Sequence, residues 1–190
     1  MKKVLQLLVL VMVSAGLLIS SSEAASMKGV TLNDTTTLAG QKLQLNGIGL
    51  RKKFFLSIYV TGLYLPKKTS SATEAITADV PKEIVMAFVY HKVGKEKIIE
   101  GWNEGFFNNS QEKLSELKAG IDQFNGYFTN DLVKGDRIDL FYQPEVGTSV
   151  TINNKKLGVI PGKDFMQALW AIWLGDNPAD SKLKGQLLGK

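Results

Sequence analysis

The stretch Phe54-Phe55-Leu56-Ser57-Ile58-Tyr59-Val60-Thr61-Gly62-Leu63-Tyr64-Leu65, halted by Pro66, limits the folds open to this chain more than any other segment. Aromatic and β-branched residues at this density suit a pleated strand packed on its faces, and the proline that follows cannot donate to a ladder. Read with period two, Phe54, Leu56, Ile58, Val60 and Tyr64 form an apolar row expected to face a core. The alternate positions Phe55, Ser57, Tyr59, Thr61 and Leu63 mix rings, hydroxyls and hydrocarbon, which is the chemistry of a cleft lining more than of a wetted face. Such a strand calls for a sheet with something laid across it.

The covering layer is visible downstream as a change of period. Ile98, Ile99, Trp102, Gly105 and Phe106 fall on one face of a helix expected over Gly94 to Asn109. Leu114, Leu117, Ile121 and Phe124 do the same for a second helix running from Gln111 to about Phe124. Ahead of these, Val30 onward and Lys42 to Leu45 read as short strands, Asn46-Gly47-Ile48-Gly49 as a turn, Ser70 to Ala78 as one or two helical turns, and Glu83 to His91 as a strand. Behind them, Asp136 to Tyr142, Thr148 to Asn153 and Lys155 to Ile160 read as an antiparallel meander, with Asn153-Asn154 suited to a tight hairpin turn. Asp164 to Leu174 and Ser181 to Leu188 close the chain as helices. Strands, helices, meander and helices again is an α+β order, with no repeat and no second domain.

The amino terminus has a different character. Lys2 and Lys3 precede an almost unbroken apolar run from Val4 to Ile19, and Ser22-x-Ala24 supplies the small residues of a cleavage site. This order is that of a secretory signal over residues 1–24, leaving 25–190 as one exported, mature domain. The apolar run is short for a bilayer span, and no later segment is long and apolar enough to make one. With no cysteine, the domain has no disulfide to stabilise it and relies on its core.

Several classes of chemistry are poorly provided for. The formal net charge of +5 is mild and the basic residues are spread, so no basic stripe interleaved with aromatics marks a nucleic-acid surface. One histidine, His91, and scattered carboxylates give no metal-ligand spacing, and a surface role is expected for that histidine. There is no Gly-x-Ser-x-Gly turn, and Gly47-x-Gly49 lacks the remainder of a dinucleotide fingerprint, so no cofactor is expected. What remains is Arg51, at the head of the cluster Arg51-Lys52-Lys53. It is either part of a solvated charge patch at a strand start or, placed beside Ser57, Tyr59 and Thr61 in a mostly apolar cleft, a partner for a carboxylate or phenolate.

The motif Gly47-x-Gly49-x-Arg51, followed by the aromatic strand ending Gly62-Leu63-Tyr64-Leu65, resembles that of the chalcone isomerase fold, in particular its bacterial chalcone-isomerase-like branch. The resemblance continues through Val93-Gly94-Lys95-Glu96-Lys97, Trp102-Asn103-Glu104-Gly105-Phe106, Gly158 to Phe165, and Ala171-Ile172-Trp173-Leu174-Gly175. It implies an open-faced β-sandwich, a large antiparallel sheet with a layer of helices, and, together with the secretory signal, a periplasmic location in a bacterium. It matches Arg51 to the arginine that faces a ligand's oxyanion or carboxylate, and implies a small hydrophobic ligand, fatty-acid-like or phenolic. Tyr59 and Ile172, with Trp173 beside it, then occupy positions where the isomerases carry pocket hydroxyls. Asn103 and Asn108 both remain candidates for the helical asparagine. Binding without catalysis is therefore expected, with isomerase (intramolecular lyase) action on a chalcone-like unsaturated ketone as the alternative, and a structural envelope role with a closed pocket as a third reading.

Overall fold

Residues 24–190 are described by a computed structural model. In chain order the elements are β1 (Ala24–Met27), β2 (Val30–Asn33), β3 (Thr35–Leu38), β4 (Gln41–Lys53), β5 (Leu56–Leu65), α1 (Ala72–Thr77), β6 (Lys82–Phe88) and β7 (Lys92–Val93). They continue with α2 (Lys95–Ser110), α3 (Leu114–Gly126), β8 (Leu132–Val133), β9 (Arg137–Gln143), β10 (Gly147–Ile152), β11 (Lys155–Ile160), α4 (Lys163–Leu174) and α5 (Ser181–Leu187). The signal-peptide reading lies, apart from Ala24, outside the described residues.

The aromatic stretch does become an inner strand. Seven strands pair antiparallel in the order β11-β10-β9-β6-β5-β4-β3, with helices laid across one face and the β1–β2 ribbon across part of the other. This is the α+β, open-faced arrangement expected from the order of periods. Asn153 and Asn154, with φ of 50° and 65°, turn β10 into β11. Asparagine tolerates the left-handed region that such a turn requires. No helix among the described residues is long and apolar enough to cross a membrane.

The two faces of β5 are buried in different cores. Tyr59 and Leu63, from the row expected to line a cleft, and Leu65 after them join the main core with Ile84, Met86 and Phe88 of β6 and the inner faces of α2, α3 and α4. Tyr64, from the row expected to face a core, packs instead into a smaller cluster with Leu32, Leu43, Leu45 and Val85 beneath the ribbon. Trp102, Trp170 and Trp173 are all buried. The Trp102 ring meets Phe124 at 5.2 Å and Phe128 at 5.5 Å, and Phe124 meets Phe165 at 5.8 Å. All three contacts are edge-on or tilted, the arrangement aromatic quadrupoles favour.

Three local expectations need correction. Asn46-Gly47-Ile48-Gly49 is not a turn but the middle of β4, with Asn46 as a bulge between the Leu45–Tyr64 and Gly47–Leu63 pairs. The bulged Asn46 side chain donates to Leu187 C=O at 2.7 Å and Thr69 C=O at 3.0 Å and accepts from the Thr69 amide at 2.7 Å. A buried amide is thereby well satisfied. The glycines serve close packing: a Cβ on Gly47 would stand 2.2 Å from Gln186 C=O, and one on Gly49 2.5 Å from Leu183 Cδ1 of α5. Second, Phe54 and Phe55 do not open the strand. They are the two-residue tip between the Lys53–Leu56 pair, Phe54 at φ 57°, and are 87% and 88% exposed. Third, β6 ends at Phe88, short of His91, because the amides of Val89 and Tyr90 both turn to donate to Ile58 C=O.

Candidate functional site

Between the helix-facing side of the sheet and α2 lies a cleft of about 510 Å³. Small-molecule pockets usually hold roughly 300–1,000 Å³, so the size suits one ligand. Its walls are mainly hydrocarbon and ring: Ile58 and Tyr59 of β5, Met86 of β6, Ile98 and Trp102 of α2, and Ile172 of α4. The turn Asn177-Pro178-Ala179 closes one side, and Arg51, Lys53, Lys92, Lys97 and Glu104 stand around it as the charged residues.

A second register shift builds the wall. Arg51 pairs with Tyr59 and Lys52 with Ser57, so Ile58 is left over as a bulge. The extra residue lets Ile58 and Tyr59, neighbours that would point to opposite faces of a regular strand, both reach the cleft. On the helix side, Gly105 lets α4 come close: a Cβ there would lie 2.7 Å from Ile172 Cγ2, and this contact delivers Ile172 to the cleft wall.

Arg51 and Tyr59 form the polar end. The Arg51 side chain is 21% exposed; its Nη1 donates to Lys52 C=O and stands 3.7 Å from Asp180 Oδ2. Asp180 is tied down by three duties. It N-caps α5 by accepting from the Leu183 amide at 3.0 Å, accepts from the Lys52 amide at 3.2 Å, and faces the guanidinium. Tyr59 Oη accepts from the Trp173 indole N–H at 3.2 Å. Burial pushes the Tyr59 phenol above its ordinary value, against the nearby Arg51 charge, which pulls it down. The phenol therefore stays protonated at neutral pH, with its O–H available as a donor.

The eight residues singled out from sequence divide. Arg51, Tyr59, Asn108 and Ile172 stand on the cleft wall. Trp173 is fully buried behind it and acts on the cleft through Tyr59. Thr61 lies one pleat deeper in β5, fully buried, its hydroxyl without a hydrogen-bond partner among the described residues. Ser57 lies opposite Lys52 next to the hairpin tip and off the wall. Asn103 is on the outer side of α2, where it accepts from Asn125 Nδ2 at 2.8 Å, so of the two helical asparagines only Asn108 is at the cleft. His91 is exposed and stacked on Tyr90 at 4.3 Å. Two residues that matter were missed. Trp102 was legible only as part of a helix core, and Asp180 carried just the helix-start signal Asp180-Ser181.

Comparison with known proteins agrees with this geometry. The solved fatty-acid binding protein of Arabidopsis thaliana superposes with a TM-score of 0.70 at 18% identity, over 87% of this chain and 96% of that one, which establishes a shared fold. No curated sequence matches the chain. A family model described as chalcone isomerase-like matches residues 24–189, the whole sheet and helix layer that carry the Arg51–Tyr59 cleft, and the chain belongs to the chalcone isomerase-like family.

Proposed function

We infer that the protein binds a small hydrophobic molecule with an anionic or phenolic head, fatty-acid-like in character, and does not transform it. The observation that carries this reading is the pairing of Arg51 with the Tyr59 phenol at a cleft whose apolar walls are Ile58, Met86, Ile98, Trp102 and Ile172, with Lys53, Lys92, Lys97 and Glu104 around it. A planar, permanently charged guanidinium and a neutral O–H make a two-donor seat for a carboxylate, and the apolar walls favour the tail. Arg51 and Asp180 stand 3.7 Å apart. That is longer than a hydrogen bond, and a carboxylate in direct contact outcompetes it. The name of the structural relative, a fatty-acid binding protein, points the same way.

Catalysis has less support. Cyclisation of a chalcone needs a stabilised oxyanion and a positioned water, whereas hydrocarbon stands at Ile172 and burial keeps Tyr59 a neutral phenol, its oxygen accepting from the Trp173 indole. Native mass spectrometry of the purified protein, followed by fatty-acid titration of the wild type and Arg51→Ala, tests the binding reading. Only apo mass together with unchanged affinity in the variant would sink it, and a chalcone absorbance assay running above the buffer rate would replace it with the isomerase reading. Export remains part of the proposal on the strength of residues 1–24; sequencing the amino terminus of the protein recovered from outside the cytoplasm checks it.

A further inference from the structure

The tip of the β4–β5 hairpin is built unlike the rest of the surface. Among the described residues, Phe54 and Phe55, at 87% and 88% exposure, are the most exposed large hydrophobic side chains, and they are adjacent. Phe54 sits in the left-handed region at φ 57°. A two-residue turn of that kind favours asparagine or glycine, so two phenylalanines there contribute neither to turn geometry nor to a core. Immediately before them come Arg51, Lys52 and Lys53. Lys52 and Lys53 form no ion pair among the described residues. Glu100 is near enough to Lys53 for that charge to help lower its pKa, after the larger effect of Lys97. Arg51 and Lys53 are also wall residues of the cleft, so the greasy tip and the opening of the cleft share one edge of the molecule.

Two rings projecting from a two-residue turn, backed by cations, match the layered chemistry of an anionic bilayer: hydrocarbon below, phosphate above. We propose that this tip docks the protein onto an anionic membrane surface, with Phe54 and Phe55 inserted at the acyl boundary and Lys52 and Lys53 among the phosphates. The cleft then opens towards lipid, and a hydrophobic ligand passes between bilayer and Tyr59 without crossing water. Docking stands apart from what the cleft holds, because the rings lie outside it.

Vesicle flotation of the purified protein, with no fatty acid added, isolates this step. Binding is expected to vesicles of phosphatidylcholine with one third phosphatidylglycerol, and weaker by roughly tenfold or more to phosphatidylcholine alone. Phe54→Ser/Phe55→Ser and, separately, Lys52→Glu are each expected to weaken binding by on the order of tenfold, from the lost apolar insertion or the reversed charge. In the phenylalanine variant, melting temperature and ligand affinity stay those of the wild type, since these rings touch neither the core nor the cleft. In Phe55→Trp, brominated lipids are expected to quench the new tip emission while the three native tryptophans remain buried. Four results would overturn the proposal: no binding to the anionic vesicles, equal binding by all variants, an unquenched Trp at the tip, or a solution dimer that Phe54→Ser/Phe55→Ser abolishes. None of them bears on the binding reading, which the titration with Arg51→Ala tests.

Discussion

Tyr59 and Trp173, 114 residues apart in the chain, meet through a 3.2 Å hydrogen bond in which the indole N–H donates to the phenol oxygen, and both groups are buried. The bond fixes the Tyr59 ring against Phe88 at 5.4 Å and leaves its O–H to donate into the cleft beside Arg51, its cross-strand partner. One interaction thus links the helix layer, the sheet and the polar end of the cleft.

Tyr59→Phe removes the acceptor and strands a buried indole donor. Loss of a buried partner costs about 1–3 kcal/mol, so chemical denaturation should show a destabilisation of that order. Fatty-acid affinity should fall as well, because a donor is lost from the seat. Unchanged stability would mean that the hydrogen bond contributes nothing.

Arg51→Ala should lose affinity without losing stability. Its only carboxylate partner among the described residues is Asp180 at 3.7 Å, part-exposed. Such pairs are worth roughly 0–1 kcal/mol, so the melting temperature should hardly move. A charged hydrogen bond to a ligand carboxylate is worth about 1.5–3 kcal/mol, which is a loss of roughly ten- to a hundredfold in affinity by calorimetry. Arg51→Lys should recover only part of it, since an ammonium cannot reproduce the planar fork.

Gly105→Ala places a methyl 2.7 Å from Ile172 Cγ2 and tests how firmly α2 and α4 are held. Overpacking of this kind costs about 1–3 kcal/mol. Ile172→Ala, which removes the γ carbons that the new methyl would meet, should recover part of the loss in the double variant, a coupling that a double-mutant cycle measures. Strict additivity would show that the helices simply slide apart.

Glu83 predicts a pH dependence. Burial first, and then the charge of Asp139, push its carboxyl up to about 7 in the folded protein, whereas in the unfolded chain it titrates near 4.5. Between these values the folded state binds the extra proton. The contribution to stability is therefore complete below about 4.5 and is lost as pH rises through about 7. The loss is on the order of 3 kcal/mol at most. Glu83→Gln should remove this slope and stabilise the protein at pH 8, as read by denaturant midpoints across the range.

Much of the architecture was legible in the chain. The period change after Gly94, the Asn153-Asn154 hairpin and the apolar density of Phe54 to Leu65 are local signals, and each produced the expected kind of element. Errors clustered where one residue serves two distant purposes. Gly47 and Gly49 carry the composition of a turn, but their missing Cβ atoms make room for α5, which lies at the far end of the chain and is invisible to any local window.

The candidate site divides along the same line. Arg51 and the row of Ser57, Tyr59 and Thr61 stand out in the sequence as neighbours along one strand, but a hairpin tip puts Arg51 on β4 opposite Tyr59 and leaves Ser57 and Thr61 off the cleft wall. Its completion by Trp173, Asp180 and Ile172 was decided by tertiary structure. The Asn46 and Ile58 bulges each shift register by one residue, and one residue exchanges the faces of a strand. The sequence alone determined that a two-faced aromatic strand would lie under helices, with an arginine near its start. Which of its residues would look into the cleft, and which carboxylate and indole would meet them, was settled only when bulges and close helix contacts fixed the pairing of distant segments.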